Sequence, residues 1–234
     1  MSVSCGPDIV ENGLILCLDA GNRESYSGSG TVWTDLASSN NGTLTNGPTF
    51  SSANGGSIVF DGSNDFVSFQ NVSSINNSLN IVNNITIDCW IRVGNFTNIG
   101  GILTYGTGSG EQYALWVSTG FPVSNSIIFS SNWPNTWYTA ASQQVLTNTP
   151  YHVIVTFSSG FWNIFINGVL NSSGTFPIST FPSVSNSYLT LGVNHPGGQE
   201  YFSGNIFSAK IYNRALNSTE VLQNYNALRS RFGY

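Results

Sequence analysis

Residues 55–69 read GGSIVFDGSNDFVSF. Two short apolar runs, SIVF and FVSF, flank the polar insert DGSND. Asp, Gly, Ser and Asn are turn formers, so the stretch predicts a strand, a hairpin turn and a second strand. The insert has a second reading. Asp61, Asn64 and Asp65 place hard oxygen donors within five residues, the chemistry of a calcium ligand set. No later acidic residue completes an EF-hand pattern, so such a site needs donors from another loop. A third reading, a catalytic pair, fails. Asp61 and Asp65 flank a turn and do not share a strand face.

Strand-like runs of this kind recur along the chain. They are GLILCLDA (13–20), SIVFDG (57–62), DFVSFQ (65–70), NITIDCWIRV (84–93), GILTYG (101–106) and QYALWVS (112–118). NSIIFSS (125–131), YHVIVTF (151–157), FWNIFI (161–166), VLNSS (169–173), YLTLGVN (188–194) and GNIFSAKIYN (204–213) follow. A dozen strands with turn residues between them predict an all-β sandwich or barrel. Asn167-Gly168, between apolar runs, is the pair that a two-residue type I′ hairpin requires. In ALNSTEVLQNYNALRSRF, Asn217 and Glu220 have capping-box spacing, with Leu216 and Val221 placed as a staple. One helix over 218–229 is expected, with Val221, Leu222, Tyr225 and Leu228 on its buried face.

Composition agrees with strands. Only 7 % of residues are charged, so Asn, Ser, Thr and Gly, which are poor helix formers, must supply the polar surface. The net charge is −5 with six Lys and Arg, five of them scattered between Arg92 and Arg231. Nucleic acid is therefore not an expected partner. No apolar stretch is long enough for a membrane helix. MSVSCGPDIVENG has neither a basic start nor an apolar core, so folding in a cytoplasm is expected. Residues 1–12 read as a lead and 13–234 as one domain. Cys17 and Cys89 occupy apolar strand positions and Cys5 lies in the polar lead. All three are expected as thiols, with Cys5 alone reactive.

Four blocks together resemble laminin-G-like domains of the concanavalin-A-like superfamily. They are the opening GLILCLDAGNRESYSGSGTVWTDLASSNNGTLTNGPTF with GGSIVFDGSNDFVSF, then ITIDCWIRV, IFINGVL, and the closing FSGNIFSAKIYNRALNSTEVLQNY. The likeness covers nearly all of residues 13–232. Its Asn-, Ser- and Gly-rich character is similar to laminin-G-like modules of tailed-phage structural proteins. The resemblance implies a concanavalin-A-like jelly-roll sandwich of two antiparallel sheets with one short C-terminal helix. It also implies a non-catalytic role, in a virion decoration, fibre or tail module or in a free-standing lectin-like module. The partners would be other virion proteins or host-surface glycans, with homo-oligomers open, and the location a virion after folding in the host cytoplasm.

Family members often bind calcium at the sandwich rim, which adds Asp19 and Asn22 to the donors at Asp61, Asn64 and Asp65. Glucanases of the superfamily carry alternating acidic residues along one strand. Here no glutamate has a second carboxylate two residues away, so hydrolysis is not expected. His152 reads as a strand residue without a nucleophile motif. Saccharides bind exposed aromatic faces beside amides and carboxylates. Trp133, Trp137 and Tyr138 in SSNWPNTWYTA (130–140), with His195 and Gln199 in GVNHPGGQEYF (192–202), are the candidates for glycan or partner contact. Trp116 and Trp162 read as core, and Trp90 as lining a second layer or a groove.

Overall fold

The computed structural model describes residues 5–69, 77–97, 99–107, 110–120, 122–132, 136–194 and 199–234. The strands in chain order begin with β1 (Leu14–Asp19), β2 (Val32–Trp33), β3 (Gly42–Thr45), β4 (Thr49–Ser51), β5 (Ser57–Asp61) and β6 (Phe66–Phe69). Next come β7 (Asn84–Val93), β8 (Gly100–Thr107), β9 (Gly110–Ser118), β10 (Ser126–Asn132) and β11 (Trp137–Gln144). The last are β12 (Pro150–Ser158), β13 (Phe161–Ile166), β14 (Val169–Thr175), β15 (Tyr188–Leu191) and β16 (Ser203–Tyr212), before helix α1 (Ser218–Leu228) and a 3-10 turn (Arg229–Phe232). All twelve expected runs are strands. β2, β3 and β4 are additional, and so is β11, which carries Trp137 and Tyr138 out of the expected loop and onto a strand.

Two antiparallel sheets face each other. The first runs β14-β13-β12-β7-β16-β5-β4, with β1 continuing the β5 edge along β16; the second runs β11-β10-β9-β8-β15-β6-β3-β2. The core lies between them, because one alternating face of each central strand is apolar. Ile85, Ile87, Cys89, Ile91 and Val93 of β7 meet Leu103 and Tyr105 of β8, Leu115 and Val117 of β9, and Phe129 of β10.

The insert DGSND is a turn, but not a hairpin. β5 pairs with β16 and β4, whereas β6 pairs with β3 and β15 in the opposite sheet. Ile58 and Phe60 therefore reach the core from one side and Val67 and Phe69 from the other. Alternation shows that both runs bury one face; it does not show which sheet each joins. Asn167-Gly168 is a hairpin turn as expected. Both residues have positive φ, at 52° and 78°, which the type I′ geometry demands.

The two outer faces differ. That of the first sheet is covered by the N-terminal segment, α1 and the 3-10 turn. Trp90 lies fully buried there, its ring 4.0 Å from Phe232, 4.9 Å from His152 and 5.8 Å from Tyr225. The described part of the lead expected over residues 1–12, residues 5–12, is part of this layer, since Ile9 and Val10 are buried in it.

Asn217 caps α1 by accepting from Thr219 N and Glu220 N, both at 3.0 Å, and Glu220 Oε2 accepts from Asn217 N at 2.9 Å. Leu216 and Val221 are buried together, as the staple requires. Leu222 departs from the expected buried face and is exposed, because the helix rolls Asn224 inward onto a polar network. Asn217→Ala is expected to cost about 1 kcal/mol in urea unfolding, the usual worth of such a cap. Among the described residues no helix is long and apolar enough to cross a membrane.

Candidate functional site

Among the described residues no helix lies over the outer face of the second sheet. Thr104 pairs with Ala114, Ser130 with Ala114 and Thr139, and Ile128 with Trp116 and Ala141. These residues alternate with the core set, so small side chains and one large ring share the outer face. Trp116 follows from that alternation. In QYALWVS, Tyr113, Leu115 and Val117 point into the core, and Trp116 points the other way. It is therefore not the core residue expected from its apolar neighbours.

A cleft of about 380 Å³ opens on this face, lined by Ile99, Trp116, Trp137, Thr139, Asn194 and Glu200. Trp116 is its floor, 9 % exposed, with Nε1–H donating to Ser130 Oγ at 2.8 Å. Trp137 is its wall, 53 % exposed at the first position of β11. The volume suits one or two sugar rings, within the usual range for small-ligand sites.

Residues 194 and 200 arrive from the β15–β16 connection, held onto β8. Gly101 N donates to Glu200 O at 3.0 Å, and a bridge joins Val193 to Tyr201. A side chain at Gly101 would meet Asn194 N at 2.4 Å, so glycine lets the connection lie flat on the strand. Asn194 is then fixed. Its Oδ1 accepts from Thr104 Oγ1 at 3.3 Å, and its Nδ2 donates to Glu111 Oε1 at 2.9 Å and to Glu200 Oε2. Two carboxylates from distant parts of the chain thus share one amide beside two tryptophans.

Of the expected contact residues, Trp137 is in the cleft, and the two segments that carried the candidates converge there. Tyr138 is not in it. One position further along β11 it turns to the core, with its ring 5.8 Å from Phe176. Gln199 is exposed next to Glu200 but does not line the cleft. Trp133 and His195 lie outside the described residues. Glu200 belongs to the expected 192–202 segment, whereas Ile99, Glu111 and Asn194 carried no sequence signal of their own, because only the fold brings them beside it.

The expected calcium donors are engaged elsewhere. Asp61 Oδ1 accepts from Ser63 N at 2.8 Å and Asn64 N at 3.3 Å; the Ser63 bonds hold its carboxyl below the usual range. Asp65 Oδ2 accepts from Asp61 N at 3.1 Å, and burial pushes its carboxyl up. The Asn64 carbonyl accepts from Asn46 Nδ2 at 3.0 Å. Asp19 is gripped by Arg231 Nη1 at 2.8 and 2.9 Å. Asp19 pairs with Ser208 and Asp61 with Ser203, five residues apart on β16, or about 16 Å. Asp19 therefore does not join the turn, and the four expected donors do not meet at one point. Among the described residues no group of three or more His, Cys, Asp or Glu side chains gathers.

A second polar cluster lies under α1, where Asp88, His152, Lys210 and Asn224 are all buried. Asp88 Oδ1 meets His152 Nε2 at 3.1 Å and Lys210 Nζ at 3.4 Å, and Asp88 Oδ2 accepts from Asn224 Nδ2 at 2.8 Å. No substrate reaches these groups, so His152 is structural. A larger hollow of about 460 Å³ beside Cys5 and Asp35 is similarly committed, because Asp35 Oδ1 accepts from Cys17 N and Ala37 N.

Residues 61–222 match the model of a family described as the concanavalin A-like lectin/glucanases superfamily. A search of curated proteins gave no match. Among solved structures, the fold is similar to domain 4 of AbnA, a GH43 extracellular arabinanase from Geobacillus stearothermophilus in complex with arabinotriose. The TM-score is 0.68 at 19 % identity over 92 % of this chain and 100 % of that one. It is also similar to the binding domain of Paraclostridial Mosquitocidal Protein 1, with TM-score 0.70 at 16 % identity over 92 % of this chain and 52 % of that one. A Trypanosoma rangeli sialidase gives TM-score 0.66 at 16 % identity over 93 % of this chain. The chain spans 33 % of that protein's length. At these identities the likeness is one of fold.

Proposed function

Because the chain belongs to the concanavalin A-like lectin/glucanase superfamily, we propose that it is a glycan-binding domain whose saccharide site is the Trp116–Trp137 cleft. The observation that carries this reading is Trp137. A half-exposed indole and a second, buried indole line one cleft on the outer sheet face, beside an amide and two carboxylates. Sugar C–H faces pack on such rings, and sugar hydroxyls donate to the carboxylates. The arabinanase domain, similar over its whole length and solved with arabinotriose, supports the reading by analogy of fold.

Binding goes without catalysis in this proposal. The Asn194 amide fills the space between Glu111 and Glu200, where a hydrolase would need the scissile bond. A bound oligosaccharide should therefore be recovered uncut, with no new reducing ends. The virion setting expected above is a separate matter, tested by peptide mass mapping of purified particles.

Trp137→Ala is expected to weaken oligosaccharide binding at least tenfold, as loss of a central aromatic contact does. The melting temperature should stay within a degree or two, because the ring is half exposed. Titration calorimetry on the best array hit, with a melting curve for each protein, makes the check. Wild-type affinity in the variant would remove the cleft from consideration.

A further inference from the structure

The cleft's charge and hydrogen-bond inventory define the class of saccharide it would take; the argument rests on the glycan-binding reading above. The chain has six Lys and Arg, and all are committed away from the cleft. Arg23 donates to Ser27 O, Arg92 to Asn205, Arg214 to Glu220 and Arg231 to Asp19. Lys210 is buried against Asp88, and Arg229 lies over Tyr225. None lines the cleft, where Glu200 stands in the wall and Glu111 one hydrogen bond behind it.

The two donors nearest the carboxylates are also engaged. Trp116 Nε1–H goes to Ser130, and Asn194 Nδ2 serves both carboxylates. The Thr139 hydroxyl and the Trp137 indole N–H remain as neutral donors, and Asn132 Oδ1, on the residue paired with Trp137 across β10 and β11, has no partner among the described residues. A wall that carries a carboxylate and, among the described residues, no cation suits a cationic ligand. An ammonium group is such a ligand: it offers three donors and no acceptor, and its bonds to carboxylates are about twice as strong as neutral ones. The exposed Trp137 face adds a cation–π surface for it. A carboxylated sugar meets the opposite: like charge and, among the described residues, no cation.

We infer that the cleft selects amine-bearing saccharides of the hexosamine type over neutral ones, and excludes sialic and uronic acids. The sialidase likeness thus extends to the fold and not to the ligand charge.

The experiment is calorimetric titration at pH 6.5 of the whole chain with a glucosamine oligomer, a matched glucose oligomer, an oligogalacturonate and sialyllactose. The glucosamine oligomer is expected to bind at least tenfold tighter than the glucose oligomer. That ratio should shrink in 0.5 M salt, which screens exposed charges, and again in Glu200→Gln. The two acidic sugars should show no measurable binding. Acidic sugars binding as well as the glucose oligomer, or equal affinity for amine and neutral oligomers, would overturn the inference while leaving a glycan site. Failure of every oligomer to bind would overturn the glycan reading itself and the inference with it. A melting curve for Glu200→Gln confirms that the variant is folded.

Discussion

Asp88→Ala lowers the unfolding free energy by about 3–5 kcal/mol, because it leaves Lys210 charged and unpaired in a fully buried position. The melting temperature should fall by roughly 6–20 °C for a domain of this size. The effect exceeds that of an ordinary ion pair because Asp88 ties three strands of one sheet to α1. It sits on β7, takes Lys210 from β16 and His152 from β12, and holds Asn224 of α1. Asn224 in turn donates to Tyr212 Oη at 2.8 Å and accepts from Val10 N at 2.9 Å, which fastens the N-terminal segment. The double variant Asp88→Leu with Lys210→Met removes both charges and should recover much of the loss, since well-packed apolar pairs often replace buried ion pairs without cost. A double variant less stable than Asp88→Ala would show that the charges do not act as a pair.

The same group sets an acid limit. Burial by itself would raise the Asp88 carboxyl, but the charges of Lys210 and His152, with the hydrogen bonds of His152 and Asn224, hold it well below the usual carboxylate range. A depressed folded-state pKa means stability that is present above the unfolded value of about 3.9 and lost as pH falls through the folded one. Wild-type stability should therefore drop below about pH 4. Asp88→Asn, less stable at neutral pH, should show a shallower decline there. Parallel acid-unfolding curves for the two proteins would refute this assignment.

The strands were legible because period-two alternation survives wherever one face is buried. β7 shows the limit of that signal. Ile85, Ile87, Cys89, Ile91 and Val93 declare a core face, whereas Thr86, Asp88, Trp90 and Arg92 read as a half-polar surface. Nothing local in them announces that α1 and the N-terminal segment bury Asp88 and Trp90. β2 to β4 were missed because runs of two to four residues hold no period. β11 was missed because WYTAASQQ is polar and bounded by Asn and Pro, although its alternation separates Trp137 and Thr139 from Tyr138. The cleft depended on pairing more than on residue type. Asn194 and Glu200 reach Trp116 only because their connection is laid on β8 at Gly101, a contact 93 and 99 residues away in the chain.

Breaking the Cys5–Cys17 bridge should cost about 3 kcal/mol, the loop-closure entropy of a 13-residue ring in the unfolded chain. The bridge overturns the expectation of three thiols with Cys5 reactive. Cys5 is buried rather than exposed, and its Cα lies 6.2 Å from that of Cys17, within disulfide reach. The sequence hid this because SVSCGPD is polar, while the residues that carry it inward, Ile9 and Val10, come after it. Cys17 points away from the core, since its neighbours Leu16 and Leu18 take the inward face of β1. It therefore meets the N-terminal segment, not Cys89, which lies fully buried on the inner side of β7. Burial pushes the Cys89 thiol far above its usual range and leaves it inert in the folded protein. A thiol reagent should find no reactive group in the native protein and one, Cys89, in denaturant without reductant. Cys5→Ser should unfold at lower urea than wild type, and a reductant should shift wild type toward the variant while leaving the variant unmoved. Three titratable thiols in denatured, unreduced protein would exclude the bridge.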